Sequence, residues 1–174
     1  MITARVKIDL SGLRKFRKIV NRDLRAGGTG PIRDALKQWA ARYRGFVQRR
    51  FVRFSRGGGD WPPLKRKRKR GKLAAAAILR DTGTMFVALD PVFQGKPGQL
   101  EKSIPFGIRV GYGGPSRHPK APMTVADLAR MHDQGLGAVP ERKIIVEPDD
   151  RTLSSMAGDM ERALKRLADD TIGS

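Results

Sequence analysis

PIRDALKQWAARYRGFVQRRFVRF, residues 31–54, is the stretch on which the fold turns. Pro31 suits a first helical position, because its fixed φ fits the helix and its missing N–H would have had no partner there. Ile32, Leu36, Trp39, Tyr43, Phe46 and Val47 recur at helical spacing, so the segment reads as one long helix with an apolar core-facing stripe. Arg42, Arg44, Arg49, Arg50 and Arg53 lie between those positions, and pattern alone leaves open whether they face solvent or phosphate. Upstream, Ala26-Gly27-Gly28-Thr29-Gly30 is a breaker. It separates the long helix from a shorter one carrying Leu13, Phe16, Ile19, Val20 and Leu24, for which Ser11 offers a cap. Before that, Ile2, Ala4, Val6, Ile8 and Leu10 alternate with polar residues as in a half-buried strand.

Downstream, SRGGGDWPPLKRKRKRGK (residues 55–72) joins a glycine run, two prolines and six consecutive cations. Mutual repulsion and rotamer entropy oppose folding of such a run alone, so residues 55–73 read as a flexible basic loop or arm. The Ala-rich residues 73–81 predict a helix broken at Asp81-Thr82-Gly83. Residues 86–93 and 104–112 predict two strands joined by a loop over 94–102, and 113–122 an irregular loop. Residues 124–134 predict a short helix with Val125, Leu128, Ala129 and His132 near one face. Gly135, Gly137 and Pro140 follow as its exit, and 143–147 reads as a short strand. Leu153, Met156, Met160, Leu164 and Leu167 mark one face of a last helix over 150–169. The expected fold is α+β: a small, mainly antiparallel sheet, with the long N-terminal helix and the C-terminal helix packed against it and an extended basic loop. No internal repeat is evident, and 174 residues suit a single domain spanning 1–174.

Hydrophobic residues are 39% of the chain and aromatics 6%, which predicts a modest, mostly aliphatic core. Thirty-six Lys and Arg against 17 Asp and Glu give a net charge of +19. All of that charge lies in residues 1–73, where 23 cations face 4 anions; residues 74–174 hold 13 of each. Such asymmetry predicts a polyanionic or electronegative neighbour for the N-terminal part. Cysteine is absent, which excludes disulfides, thiolate metal sites and cysteine nucleophiles. No apolar run reaches the length of a membrane span, and MITARVKIDL lacks the apolar core of a signal peptide, so the expectation is a soluble protein of a reducing compartment with no membrane partner.

Catalytic patterns are missing too. His118 and His132 form no spaced metal motif, and Gly57-Gly58-Gly59 lacks the Lys-Ser/Thr of a phosphate-binding loop and reads as a hinge. Asp149 and Asp150 read as charges placed at the positive end of the last helix. The expectation is a protein that is not an enzyme and takes no metal or cofactor. Two readings are left by composition. One is a non-specific nucleic-acid-binding protein, whose affinity would be steeply salt-dependent. The other is an assembly subunit whose basic arm gains order by wrapping a neighbour.

Five short motifs favour the second reading. WPPLK at 61–65, ILRDTGTM at 78–85, GIRVGYG at 107–113, ARMHDQG at 129–135 and VPERKIIV at 139–146 resemble, in order and spacing, the bacteriophage virion morphogenesis family of tail completion proteins. Neck and tail-terminator proteins are similar to its later half. The resemblance implies a non-enzymatic virion component forming a homo-oligomeric ring, a hexamer, at the head-proximal end of the tail or in the neck. It would be assembled in the host cytoplasm. Its partners would be further copies of itself, the tail tube protein and head–tail connector or neck proteins, with packaged DNA in the lumen. The basic loop Lys65, Arg66, Lys67, Arg68, Lys69 and Arg70 would then face protein or DNA, protein docking being favoured because a strongly cationic lumen would retard DNA. The motif residues are Trp61, Pro62, Pro63, Leu64, Thr82, Gly83, His132, Gly135, Pro140 and Arg142. Trp61 with its two prolines is expected to staple the loop to the core. Gly83 and Gly135 are expected to cap helix C-termini, and His132 to bond at a helix end. Pro140 and Arg142 are expected to fix the lead into the last strand, with Arg142 free to pair with a neighbouring subunit's carboxylate.

Overall fold

The computed structural model describes residues 11–25, 28–62, 79 and 82–172. The architecture is α+β. Helix α1 (Ser11–Asp23) leads to the long α2 (Pro31–Ser55); a one-turn helix α3 (Thr84–Val87) precedes the antiparallel hairpin β1 (Gln99–Ile104) and β2 (Gly107–Tyr112). Helices α4 (Val125–Gln134) and α5 (Asp150–Ile172) complete the order. The strand read over residues 2–10, the helix over 73–81 and most of the loop over 55–73 lie outside the described residues.

The central element is α2, which packs on β2 through one side and on α5 through another. Val47 and Phe51 of α2 are buried with Trp61, Met85, Leu89, Val125, Ala129 and Ile144, a core drawn from five separate stretches of chain. Ile32, Ala35, Leu36 and Ala40 are buried further along α2, as are Ala163 and Leu167 on α5. Because α2 is covered on more than one side, its buried residues exceed a single stripe. Trp39, Tyr43 and Phe46 are only half-buried, whereas Arg33 and Arg44 are 1% and 2% exposed.

Four details differ from the sequence reading. Residues 86–93 are not a strand: Met85, Ala88 and Leu89 are buried at helical spacing, and Pro91 has no N–H to give a ladder. A five-residue apolar run fits either period, and here packing selects the helix. The hairpin instead begins inside the stretch read as a loop. The buried Gln99 side chain accepts from the Gln94 and Lys96 N–H groups and donates to the Asp90 and Val92 carbonyls, which leaves β1 free to pair with β2. Residues 143–147 have no strand partner among the described residues; the Asp133 carboxylate takes the Ile144 and Ile145 N–H groups at 2.7 and 3.0 Å in place of a ladder. On α5 the buried face runs through Thr152, Asp159, Ala163, Leu167 and Thr171, so Leu153 and Leu164 of the expected core stripe point outward.

Candidate functional site

The end of α2 turns back on itself. Gly58 N–H donates to the Arg53 carbonyl at 3.0 Å, and Arg53 Nε returns a bond to the Gly58 carbonyl at 2.8 Å. At Gly59 a Cβ would overlap Phe54 Cδ1, so only glycine lets the backbone pass over that ring. The glycine run reverses the chain, with Gly57 and Gly58 exposed and Gly59 passing over the Phe54 ring. It returns Trp61 onto α2, edge-on to Phe51 and Phe54 at 5.3 and 5.7 Å. Trp61 Nε1 donates to the Lys143 carbonyl at 3.2 Å, so the expected staple is present.

Arg142 closes the other half of this clamp. Its guanidinium is buried, with Nη2 donating to the Pro62 carbonyl at 3.1 Å and Nη1 to the Pro140 carbonyl at 3.4 Å. Nη1 also lies 3.5 Å from His132 Nδ1, and the Arg142 N–H donates to the His132 carbonyl at 2.6 Å. With the guanidinium donating, Nδ1 is the acceptor and the imidazole proton belongs on Nε2. Burial first, and the Arg142 charge second, lower the His132 pKa from 6.5 to about 4; burial also lowers that of Arg142. His132 is thus neutral at pH 7. Helix α4 starts with Thr124, whose Oγ1 accepts from the Asp127 N–H at 3.0 Å, and ends at Gly135 with φ 64°. A Cβ on Gly135 would approach the Glu141 backbone N at 3.1 Å, so glycine lets the chain reverse toward Arg142.

Six of the motif residues therefore meet in one place: Trp61, Pro62, His132, Gly135, Pro140 and Arg142. Arg142 departs from expectation. It fixes a segment outside any strand among the described residues, and its buried guanidinium bonds within the chain. Thr82 stands elsewhere. Its Oγ1 lies 2.8 Å from His118 Nε2 and 2.9 Å from Thr84 Oγ1, while His118 Nδ1 accepts from the Lys120 N–H, tying α3 to the 113–123 loop. Gly83 has a positive φ of 72° and precedes α3; the helix over 73–81 that it is expected to cap lies outside the described residues. Pro63, Leu64 and Lys65, Arg66, Lys67, Arg68, Lys69 and Arg70 lie outside the described residues.

The arginines of α2 divide between inside and outside. Arg44 bonds Glu101 at 2.5 Å and the Pro91 carbonyl at 2.7 Å; Arg33 bonds the Gly107 carbonyl at 2.7 Å and the Arg25 carbonyl. Arg42 pairs with the buried Asp159 at 2.5 Å, and Arg162 shares that carboxylate. The Arg42 bond, with help from Arg162, holds Asp159 below the usual carboxylate range against the opposing effect of burial. Arg50 stacks 4.1 Å from the Phe54 ring centroid and bonds the Lys143 carbonyl. Sequence reasoning missed Asp159, Glu101 and Gln99. The available signal for Asp159 was its place on one helical face with Met156 and Ala163.

Between α2 and the start of α5 lies a groove of about 640 Å³ lined by Arg42, Arg49 and Arg151 with Asp149, Thr152 and Ser155. Asp149 Oδ1 accepts from the Thr152 N–H at 2.8 Å, so it caps α5. Among the described residues no group of three or more His, Asp or Glu is placed to hold a metal ion, and no helix is long and apolar enough to cross a membrane. No protein-family model, curated protein or solved structure matches the chain.

Proposed function

We propose that the protein is a non-enzymatic structural subunit of a phage virion, forming a ring at the head-proximal tail end or neck that completes the tail and joins it to the head. The observation that carries this reading is the clamp. Residues of three separate motifs, at 61–62, 132–135 and 140–142, are joined by direct hydrogen bonds. Apart from Arg142 Nε, the side-chain donors described there are spent on acceptors of the clamp, which suits holding a shape rather than moving a proton. Pro62, three residues before Lys65, is held by Arg142, so the chain is anchored just ahead of the basic stretch. That arrangement fits an arm that docks on acidic surfaces of the tube or connector. The ring acts through its geometry, ending tube growth and presenting a new surface to the head.

The test is genetic. Replacing Lys65, Arg66, Lys67, Arg68, Lys69 and Arg70 by glutamine in the native genome should leave separate heads and tails visible by electron microscopy and depress infectious titre. Normal titre would overturn the role given to the arm. Loss of the whole gene without effect on virions would overturn the reading itself. Non-specific nucleic-acid binding is the second reading, favoured by the exposed Arg14, Lys15, Arg17 and Lys18 on α1. It predicts duplex DNA binding that falls about a thousandfold between 50 and 200 mM salt if six phosphates are neutralised. It loses support on α2, where Arg33 and Arg44 are buried and bonded internally.

A further inference from the structure

The β1–β2 turn is built at a cost that folding alone does not require. Its two residues are Pro105 and Phe106. Proline cannot adopt the positive φ that the relaxed two-residue hairpin turns require at their first position. The left-handed conformation falls instead on Phe106, at φ 60°, where glycine or asparagine would sit without strain. The same Phe106 is 78% exposed. Its backbone is nonetheless held firmly: the Phe106 N–H donates to the Leu24 carbonyl at 2.8 Å, and the buried Arg33 holds the neighbouring Gly107 carbonyl. Two register steps from the tip pair Ile104–Gly107, Lys102 lies directly opposite Arg109, both exposed. Like charges in that position repel. Neither has an ion-pair partner among the described residues. Strain, an exposed aromatic ring and facing cations on a fixed support are what an interface anchor presents before its partner arrives.

A matching surface lies on α5. At about 100° per residue, Leu153, Ala157, Met160 and Leu164 fall within one arc, with Asp150 and Glu161 along its side. Leu153 and Leu164 are 47% and 37% exposed, and both acids are exposed. This arc is apolar with an acidic border, where the hairpin tip is aromatic with a basic border. We infer that the hairpin tip of one copy docks on the outer face of α5 of a second copy, with Phe106 seated among Leu153, Met160 and Leu164 and with Lys102 and Arg109 against Asp150 and Glu161. The two surfaces are different patches of one chain, so the contact is head-to-tail, and repetition closes a ring or propagates a filament. The biological setting rests on the virion reading above; the contact itself does not.

The experiment is molar mass by light scattering and sedimentation on the full chain over a concentration series. The parent should associate. Phe106→Asn should weaken association at least about thirtyfold while the melting temperature holds or rises by about 2 °C, because the strain is relieved. Leu153→Glu with Leu164→Glu, both at exposed positions, should remove association from the other side. Mixing the two variants should restore a one-to-one dimer, because each retains the surface the other lacks. A parent that remains monomeric throughout, association unchanged by Phe106→Asn, or a mixture that stays monomeric would each overturn the contact. Association that passes these tests in a protein whose deletion leaves virions normal would remove the virion reading and leave the contact standing.

Discussion

Replacing Arg142 with methionine tests the clamp at its most connected residue. The side chain is 3% exposed, so methionine keeps most of the stem volume and removes the charge and the donors. The bond to the Pro62 carbonyl at 3.1 Å is charge-assisted and contributes about 1.5–3 kcal/mol, while the 3.4 Å bond to Pro140 adds less. Opposing this, Arg142 Nε has no partner among the described residues and the guanidinium is desolvated, so its removal recovers part of the loss. The expected net destabilisation is about 1–3 kcal/mol, or about 3–10 °C in melting temperature for a chain of this size. A second readout separates the clamp from simple loss of packing. Arg142 is the lesser of the two causes that lower the His132 pKa, burial being the greater. In the variant the His132 resonance should therefore titrate above about 4 yet still below 6.5, followed by NMR of the folded protein. A variant that melts within 1 °C of the parent, with His132 titrating unchanged, would refute the reasoning.

Trp61→Ala removes the ring that meets Phe51 and Phe54 and should cost about 3–5 kcal/mol by urea denaturation, whereas Trp61→Phe, which loses the bond to Lys143, should cost about 1–2. Glu101→Gln leaves the Arg44 guanidinium without its counter-charge and should lower stability by about 2–3 kcal/mol, measured the same way. Gly135→Ala forces a Cβ toward Glu141 at positive φ and should cost about 1–2 kcal/mol in a thermal melt. For His132 the folded pKa lies below the unfolded value. Its contribution is complete above pH 6.5, declines as pH falls toward about 4 and is flat below, and half-burial limits it to about 1–2 kcal/mol; the urea midpoint of His132→Gln should lose that slope.

Periodic, locally determined features were legible in the sequence. Pro31 and the stripe after it located α2, the spacing over 124–134 and the terminal Gly135 bracketed α4, and Asp149 marked the start of α5. The hairpin was displaced because its register depends on Gln99, whose amide organises the preceding loop through four bonds that no periodicity announces. The face of α5 was misassigned because leucine was weighed above aspartate. Asp159 is buried with Arg42, distant in sequence, and Arg162 neutralising it, and the face that carries it inward leaves Leu153 outward. The clamp followed the same logic: its six residues were readable as a set of motifs, but Arg142's inward direction required knowing that two carbonyls waited for it.

This has a consequence for how the net charge is understood. Arg33, Arg44 and Arg142 are buried fasteners, each joining segments far apart in the chain through backbone carbonyls or a carboxylate. Arginine suits that work because its planar fork reaches two acceptors at once and its stem packs like an aliphatic chain. With only 6% aromatics, the chain has few large side chains to cement its segments by burial alone, and buried arginines supply part of that cohesion. Two of the 23 cations in the basic portion are thereby withdrawn from the surface, and Arg42 and Arg50 are committed at its edge. Exposed cations remain on α1, at Arg14, Lys15, Arg17 and Lys18, and on the hairpin, at Lys102 and Arg109, where Phe106 projects. A partner arriving there meets cations and an aromatic ring together, and an acidic, apolar surface is the one that satisfies both.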